Sequence, residues 1–263
     1  MASIKRVLLL RAPREEDEQD PYQQLFAASD VDATSISPLS FDFINLENLY
    51  SHISHPEQFC GLVFSSARTV QAVHKCVDKF SSIQEWQRGI QKDWAGLSTY
   101  TVGTATASAA QDLGLVPLGQ ESGSAVNLVK IIKDGITPGS KPLLIPRGEL
   151  ARGELTKGLD QAGISYVVDT VYQTVCNPAL EVNVERYFDT AAPDAIVFFS
   201  PSGVRFSADI LKRLNTADTK FFSIGPTTTS AMEDQGYSVF ATAAKPNPET
   251  LLNTILELSD KIS

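Results

Sequence analysis

Two stretches of the chain repeat one pattern, in which a short apolar run ends in serine and continues into a segment with helical spacing. Leu62–Val70 resembles Ile196–Val204, and Thr101–Ser108 resembles Ser223–Ser230 in the same order. The first copy is longer between its two modules, and we expect an insertion at Ser82–Asp93. A supersecondary unit that recurs in a fixed order predicts two similar domains.

Short apolar runs alternate with helical patterns along the chain. Each run is almost continuously apolar, as in a parallel sheet that is covered on both faces. The predicted strands are Arg6–Ala12, Gly61–Ser65, Thr99–Val102, Lys141–Pro146, Asp194–Ser200 and Lys220–Ile224. After the second of them, the apolar residues Val70, Val73, Val77 and Phe80 recur every three or four positions, which indicates an amphipathic helix. The expected fold class is α/β, with two similar parallel-sheet α/β domains.

Two extended stretches mark the domain boundaries. Ser35–Phe43 has no helical period, and Val167–Asn177 is rich in β-forming residues. Each is expected to cross between the domains, so that together they form a two-stranded linker. The predicted domains are then residues 1–36 plus 172–263, and residues 37–171 as an inserted second domain. We expect the active-site cleft between them, at the carboxyl ends of the strands.

Charge and composition exclude several classes of function. The chain has 22 Lys and Arg against 31 Asp and Glu, and a net charge of -9 disfavours a general nucleic-acid binder. Apolar runs such as Val7–Leu10 are too short to cross a bilayer, so no membrane partner is expected. The cysteines at 60, 76 and 176 form no close pair, which is typical of a reduced compartment. We expect a cytoplasmic protein, and no apolar pattern demands a dimer, so we expect a monomer.

Serine and threonine recur where predicted strands give way to helices. One interpretation is helix capping, in which these side chains satisfy free backbone N–H groups. The other is an anion site, since helix N-termini suit carboxylates and phosphates. Both interpretations remain open for Ser66, Thr104, Thr106, Ser200, Thr227 and Thr228. Pro201 fits a first helical turn, and Gly203 permits close backbone approach.

One tyrosine and several basic residues are further candidates. Tyr172 lies in the second predicted crossing segment, so its phenol can project into the cleft or pack between the strands. A phenol is protonated at neutral pH and can act as a hydrogen-bond donor or weak general acid. The basic residues near strand ends are either partners for ligand carboxylates or ordinary surface cations, and they are Arg68, Arg147, Arg152 and Lys220.

Motifs for cofactors and metals are missing from the sequence. No glycine-rich nucleotide fingerprint follows a strand, and no phosphate-binding loop motif occurs. The histidines at 52, 55 and 74 have no cysteine or carboxylate pattern that would complete a metal site. We therefore expect neither a cofactor nor a metal. Trp86 and Trp94 are expected to pack in the core.

Five short motifs together carry a resemblance to a known family. They are Asp20–Tyr22, Val102–Ser108, Thr170–Val175, Phe198–Gly203 and Ile224–Thr228. In this order and spacing, the chain resembles the uroporphyrinogen-III synthases over nearly its whole length. The resemblance implies a cofactor-free cyclising lyase of haem biosynthesis. Its substrate would be hydroxymethylbilane, a linear tetrapyrrole, which would lose water and close with inversion of ring D to uroporphyrinogen III.

The resemblance also implies roles for particular residues. Tyr172 would be the catalytic donor to the departing hydroxyl. The substrate carboxylates would be met at Gly103, Thr104, Thr106 and Ser66, at Ser200, Pro201, Ser202 and Gly203, and at Thr227 and Thr228. By their position near strand ends, Arg147 and Lys220 are further candidate partners for these carboxylates. Since the free substrate closes spontaneously to the unrearranged isomer, the protein would mainly select one folded conformation. The alternative is a non-catalytic two-lobed module that binds an acidic small molecule.

Overall fold

The computed structural model describes residues 4–12, 20–137, 139–151 and 153–260. The chain forms two compact units. Unit 1 is Met1–Ser40 with Val175–Ser263, and unit 2 is Phe41–Thr174. Within the described ranges, no helix combines the length and the apolar character that crossing a membrane requires.

Strands and helices alternate along both units. The strands are β1 (Arg6–Leu10), β2 (Asp32–Ser35), β3 (Leu39–Phe43), β4 (Gly61–Phe64), β5 (Ser98–Thr101), β6 (Pro117–Leu118), β7 (Leu143–Gly148), β8 (Tyr166–Cys176), β9 (Ala195–Phe198), β10 (Lys220–Ser223) and β11 (Val239–Thr242). The helices are α1 (Pro21–Ala27), α2 (Leu46–Ile53), α3 (Ala67–Phe80), α4 (Ile83–Arg88), α5 (Ile90–Ala95), α6 (Thr104–Asp112), α7 (Ala125–Gly135), α8 (Glu154–Gln161), α9 (Leu180–Thr190), α10 (Pro201–Lys212), α11 (Pro226–Asp234) and α12 (Pro248–Asp260). The six strands predicted from apolar runs are all present.

Each unit is built on one sheet of mostly parallel strands. The strand order is β11-β10-β9-β1-β2 in the first sheet and β3-β8-β7-β4-β5-β6 in the second. The repeated modules occupy matching places, because β4 and β5 are parallel neighbours, as are β9 and β10. The predicted class, two similar parallel-sheet α/β domains, is confirmed. The chain order is permuted between the copies, since β1 and β2 match the places of β7 and β8.

Apolar side chains cover both faces of each sheet, as the continuous runs predict. In β1, Val7 and Leu9 enter one core cluster, whereas Leu8 enters the cluster on the opposite face. In β4, Leu62 and Val63 divide in the same way between two clusters. This alternation is what a strand enclosed between two helical layers requires.

The expected insertion at Ser82–Asp93 coincides with α4 and the first part of α5, and these helices have no counterpart between α10 and β10. Both tryptophans are fully buried there. The indole N–H of Trp86 donates to the Leu113 carbonyl at 3.1 Å, and that of Trp94 donates to the Ile53 carbonyl at 2.7 Å. Since each ring is enclosed and its N–H is paired, both tryptophans pack in the core, as predicted.

The chain passes between the units in two neighbouring strands, β3 and β8. The Ile44 N–H donates to the Val171 carbonyl, and the Asn177 N–H donates to the Pro38 carbonyl. Because the partners run in opposite order along the chain, the two crossing strands are antiparallel. The chain thus enters and leaves unit 2 through one hydrogen-bonded pair, which is the predicted two-stranded linker.

Candidate functional site

The predicted serine- and threonine-rich turns follow the carboxyl ends of parallel strands. In unit 2, Ser66 follows β4 and Gly103 follows β5, and these strands are adjacent. In unit 1, Ser200 follows β9 and Gly225 follows β10, which are also adjacent. Carboxyl ends of adjacent parallel strands meet at one edge of a sheet, so each unit brings two of its turns together.

Unit 2 contains a cavity of about 270 Å³ at the point where the order of its strands reverses, between β4 and β7. Open α/β sheets usually bind ligands at this place. Three predicted residues line the cavity together, namely Ser66, Arg147 and Tyr172. Gly148 and Glu154 are also part of its wall. This cavity is the candidate functional site of unit 2.

Tyr172 lies on β8, and its ring is held on several sides. The rings of Phe41 and Phe43 have centroids 6.0 and 6.5 Å from that of Tyr172. The Arg68 guanidinium lies 3.3 Å from the Phe41 ring centroid and 5.4 Å from that of Tyr172. On another side, a β-carbon built on Gly148 would lie only 2.4 Å from Tyr172 Cζ. The phenol is therefore fixed in orientation by packing.

A shift in strand register accounts for the contact between Gly148 and the ring. Arg147 pairs with Thr170, but the next residue, Gly148, pairs with Tyr172, so Val171 is an extra residue of β8. Irregular strand pairing of this kind redirects side chains, often beside active sites. Val171 and Tyr172 accordingly contact the same core cluster instead of opposite faces.

Two unpartnered polar atoms belong to residues that share the cavity with Tyr172. Within the described ranges, no protein group hydrogen-bonds the Tyr172 hydroxyl, and Ser66 Oγ and Arg147 Nε are buried without a partner. Ser66 is the N-cap residue of α3, yet its side chain makes no capping hydrogen bond. Buried polar groups are normally paired, and the exceptions tend to have a functional reason. Together with Arg68 and the helix N-terminus, this wall suits an anionic ligand.

The second turn of unit 2 exposes backbone rather than side chains. Gly103 is the N-cap residue of α6 and has φ +80°, a conformation that side chains disfavour, and open space faces its position. Thr104 is exposed, whereas Thr106 is buried, with 5% of its surface exposed. Neither of them caps the helix with its side chain. The first N–H groups of α6 are thus available at the sheet edge.

In unit 1, the turn after β9 has a larger structural role. Ser200 Oγ accepts a hydrogen bond from the Gly203 N–H at 3.0 Å, and Pro201 occupies the first turn of α10. A β-carbon on Gly203 would lie 3.1 Å from Pro38, so this glycine is needed for packing as well. Ser202 is partly exposed beside Arg205, whose guanidinium donates to its Oγ at 3.4 Å. The capping interpretation is therefore confirmed for Ser200.

The turn after β10 presents one exposed and one buried threonine. Thr227 is exposed, whereas Thr228 is 2% exposed and its N–H donates to the Gly225 carbonyl. Behind them, the hydroxyls of Ser223, Thr229 and Thr242 bond to one another at 2.6 to 3.0 Å. This triangle ties α11 to the ends of two strands and fixes the turn.

Lys220 is placed differently from the other predicted residues that the structure describes. Lys220 begins β10, at the opposite end of that strand from Ser223 and the turn, and its Nζ lies 5.6 Å from the Phe240 ring centroid. In a parallel sheet the amino ends lie away from the turns, so this lysine does not join the Thr227–Thr228 turn. Arg152 lies outside the described residues. Tyr172 lies inside unit 2, because β8 stays in that sheet as far as Thr174.

A buried hydrogen-bonded cluster was not predicted from the sequence. The Asp169 side chain is 1% exposed, and its carboxylate lies 2.8 Å from His52 Nδ1 and 2.6 Å from Asn48 Nδ2. The partners are far apart in sequence, but an aspartate within the apolar run Val167–Val171 indicates a buried carboxylate that needs a hydrogen-bond partner. The cluster links β8 to α2, and it therefore helps to position the strand that carries Tyr172.

An ion pair in unit 1 lies near the end of β1. The Arg11 guanidinium contacts the buried Asp20 carboxylate, which also accepts the Tyr22 N–H at 2.9 Å as the cap of α1. Burial raises the pKa of Asp20, but the hydrogen bonds from Arg11 and the backbone outweigh it, and the pKa lies below the ordinary value. Arg11 is thereby committed to structure.

Within the described ranges, no group of three or more His, Cys, Asp or Glu side chains could hold a metal ion. The cysteines also offer no obvious nucleophile in the cavity. Burial raises the pKa of the Cys76 thiol to about 12, with a contribution from Asp169, and such a thiol is unreactive at neutral pH. The chemistry available at the cavity is therefore that of a phenol, a guanidinium, hydroxyls and the Glu154 carboxylate.

Comparison with known proteins gives one consistent result. The family model described as uroporphyrinogen-III synthase HemD matches residues 20–253. The uroporphyrinogen-III synthase of Schizosaccharomyces pombe is 26% identical over 99% of this chain and 100% of its own length. That of Saccharomyces cerevisiae is also 26% identical, over 95% of each chain.

Solved structures agree in fold. A crystal structure of uroporphyrinogen-III synthetase from Helicobacter pylori matches 97% of this chain and 100% of its own with a TM-score of 0.58 and 18% identity. A mutant uroporphyrinogen III synthase from Thermus thermophilus matches 98% of this chain and 100% of its own, with a TM-score of 0.50 and 14% identity. At these identities the likeness shows the α/β fold with two sheets.

Proposed function

Because the chain belongs to the uroporphyrinogen-III synthase family, whose members cyclise hydroxymethylbilane in tetrapyrrole biosynthesis, we propose that Tyr172 and the strand-end turns form its substrate site. The chain is accordingly a cyclising lyase. In this site one phenol assists the loss of water, and backbone and side-chain donors bind the carboxylates.

Tyr172 has the chemistry that the first step needs. The phenol donates its proton to the terminal hydroxyl of the substrate as the carbon–oxygen bond breaks, and water leaves. The pyrrole nitrogen supplies the electron pair and keeps its proton, which leaves an electron-poor azafulvenium cation. The substituted α-carbon of ring D bonds to the resulting methylene carbon and forms a spiro intermediate. The earlier bond from this α-carbon to its methylene bridge then breaks and re-forms at the free α-carbon, which inverts ring D, and the proton lost from that carbon returns to the phenolate. No strong base is required.

The turns hold the substrate through its carboxylates. In unit 2 the donors are at Ser66, Gly103–Thr104 and Thr106, and Arg147 lines the same cavity as Ser66. In unit 1 they are at Ser200–Gly203 and Thr227–Thr228. Since the free substrate closes to the unrearranged isomer, holding one folded conformation is the main catalytic task.

One observation carries this proposal: the unpartnered hydroxyl of Tyr172 shares a cavity with the unpaired Ser66 Oγ and Arg147 Nε. A packing residue would have no need of two buried polar atoms without partners beside it. The ring is also held by Phe41 and Arg68, so its orientation does not depend on a ligand.

The test is the variant Tyr172→Phe, assayed with freshly prepared hydroxymethylbilane and separation of the product isomers. We expect a fall in kcat of about 10²-fold or more with product affinity near that of wild type, because only the proton donor is lost. Tyr166→Phe is the matched control, since Tyr166 is on the same strand and its hydroxyl donates to Asp160 at 3.0 Å. Equal turnover in wild type and Tyr172→Phe would remove Tyr172 from the mechanism.

We also propose that the enzyme acts as a cytoplasmic monomer without nucleic acid. The net charge of -9 and the free cysteines Cys60, Cys76 and Cys176 support this view. Sedimentation equilibrium and cell fractionation would test it. A stable dimer at micromolar concentration, or a signal confined to an organelle, would contradict it.

A further inference from the structure

A second cavity lies in unit 1, at the end of β2. Its volume is about 420 Å³, and residues from β2, from the segment that follows it and from α9 line it. None of its lining residues belongs to the site assigned to the tetrapyrrole. This cavity is named the β2–α9 cavity.

The wall of the β2–α9 cavity is rich in hydrogen-bond donors that have no partner. Within the described ranges, Thr34, Asn183 and Arg186 make no side-chain hydrogen bond or ion pair. Two further hydroxyls, those of Ser35 and Tyr187, are buried and unpartnered. Tyr187 is 8% exposed, and burial raises the pKa of its phenol to about 12, which keeps it a donor. Thr34 and Asn183 are half-buried and Arg186 is exposed, whereas the hydroxyls of Ser35 and Tyr187 are enclosed. Buried hydroxyls are normally paired, so these two, next to an exposed guanidinium, suit a ligand that supplies acceptor atoms.

The charge of the wall residues indicates the charge that the ligand carries. Arg186 is the one charged residue among the eight lining residues, and none of the eight is acidic, although the chain as a whole carries -9. A guanidinium surrounded by amides and hydroxyls is the usual setting for a carboxylate or phosphate group. Ile36 adds an apolar patch for the remainder of a small organic ligand.

We propose that the β2–α9 cavity is a second ligand site, which binds a small molecule that carries a carboxylate or phosphate group. Arg186 meets the charge, and Asn183 and Thr34 donate to the anionic oxygens. Ser35, whose hydroxyl is buried without a partner within the described ranges, lines the same cavity. The occupant therefore satisfies donors that are unpaired without it.

The position of the cavity gives an occupant a second effect. Ser37 and Asn177 are also in its wall, and the Asn177 side-chain amide donates to the Ser37 carbonyl at 2.8 Å. These residues stand directly next to the two crossing strands, β3 and β8. A bound anion therefore braces the paired segments through which the chain leaves and re-enters unit 1.

The first experiment measures thermal unfolding of the full chain with sodium phosphate, with sodium benzoate, and with sodium chloride at equal ionic strength. We expect a saturable rise of Tm with phosphate or benzoate beyond that with chloride, because a ligand that binds only the folded chain stabilises it. The arm that gives the rise identifies the head group as phosphate or carboxylate. No rise in either arm would overturn the proposal.

Variants then locate the site by calorimetric titration with the active probe. Arg186→Gln is expected to weaken binding roughly ten-fold or more, since a charge-assisted hydrogen bond is lost. Arg88→Gln, an exposed arginine of α4 in unit 2, removes the same charge elsewhere and is expected to bind as wild type. Equal binding by Arg186→Gln and wild type would refute the assignment.

A second pair of variants separates binding from folding. Ser35→Ala removes an unpartnered buried hydroxyl, so we expect an unchanged or higher Tm without probe and a several-fold weaker affinity. Ser207→Ala removes another unpartnered buried hydroxyl, on α10 and outside the cavity wall, and serves as the control. Loss of affinity in the control as large as in Ser35→Ala would contradict the site.

Discussion

Replacing Gly148 by alanine tests the idea that packing fixes the Tyr172 phenol. The added methyl would lie 2.4 Å from Tyr172 Cζ and 2.6 Å from its hydroxyl oxygen, whereas ordinary contacts begin near 3.4 Å. The ring must therefore move by about 1 Å, and misplacement of a reacting group by that distance can reduce a rate about 10²-fold. We expect Gly148→Ala to lower kcat for uroporphyrinogen III by this order. Overpacking should also lower the free energy of unfolding by about 1–3 kcal/mol.

Stopped-flow assays with isomer separation, together with urea unfolding, would measure both effects. Gly153→Ala, five residues further along the chain, is the control. Its new methyl would lie 3.8 Å from the nearest atom, Thr156 Oγ1, which is an ordinary contact distance. In the Tyr172→Phe background, Gly148→Ala should cause little further loss of kcat, since both changes act on one proton donor. A full additional 10²-fold loss there, or an unchanged kcat in the single variant, would refute the reasoning.

Three further variants test other parts of the structure. Ser200→Ala should lower the free energy of unfolding, measured in urea, by about 0.5–2 kcal/mol, because a helix cap is lost. Ser66→Ala should leave the free energy of unfolding nearly unchanged but raise KM, because its side chain makes no cap and is free to bind substrate. Asp20→Asn should be less stable than wild type at pH 7, and the difference should vanish as pH falls through the lowered folded-state pKa, because wild type loses that contribution there. Burial raises the pKa of Tyr237 to about 12, so wild type should lose stability between about pH 10 and 12 as the unfolded phenol ionises, and Tyr237→Phe should show a shallower alkaline loss.

The architecture followed from local patterns because parallel strands that are covered on both faces leave a strong signal. The run Val7–Leu10 and the helix spacing of Val70, Val73 and Val77 each determine one element without distant partners. The repeat of Leu62–Val70 at Ile196–Val204 then predicted the equivalent places of β4 and β9. Repeated modules constrain topology more than single motifs do, because matching elements must occupy matching positions in similar sheets.

The details of the site depended on pairing across the chain, which spacing does not encode. The register shift that sets Gly148 against Tyr172 arises between β7 and β8, and nothing in either strand alone predicts it. The contact between Asp169 and His52 likewise joins residues in two different elements, so the spacing within either element does not predict it. Lys220 is a different case, since strand direction already places the first residue of β10 at the end remote from its turn.

The two copies of the module use their serine differently, and this has a consequence for how each turn can hold an anion. In unit 1, Pro201 has no N–H and the Gly203 N–H is occupied by Ser200 Oγ, so α10 keeps few free donors at its start. In unit 2, Ala67 replaces the proline and the Ser66 side chain makes no cap. The Thr69 N–H donates to the Ser66 carbonyl at 3.1 Å, and the N–H groups of Ala67 and Arg68 have no partner within the described ranges. A carboxylate therefore gains more hydrogen bonds at the start of α3 than at that of α10. Because α3 also carries Arg68 beside the Tyr172 ring, the stronger anion site and the proton donor lie in the same unit.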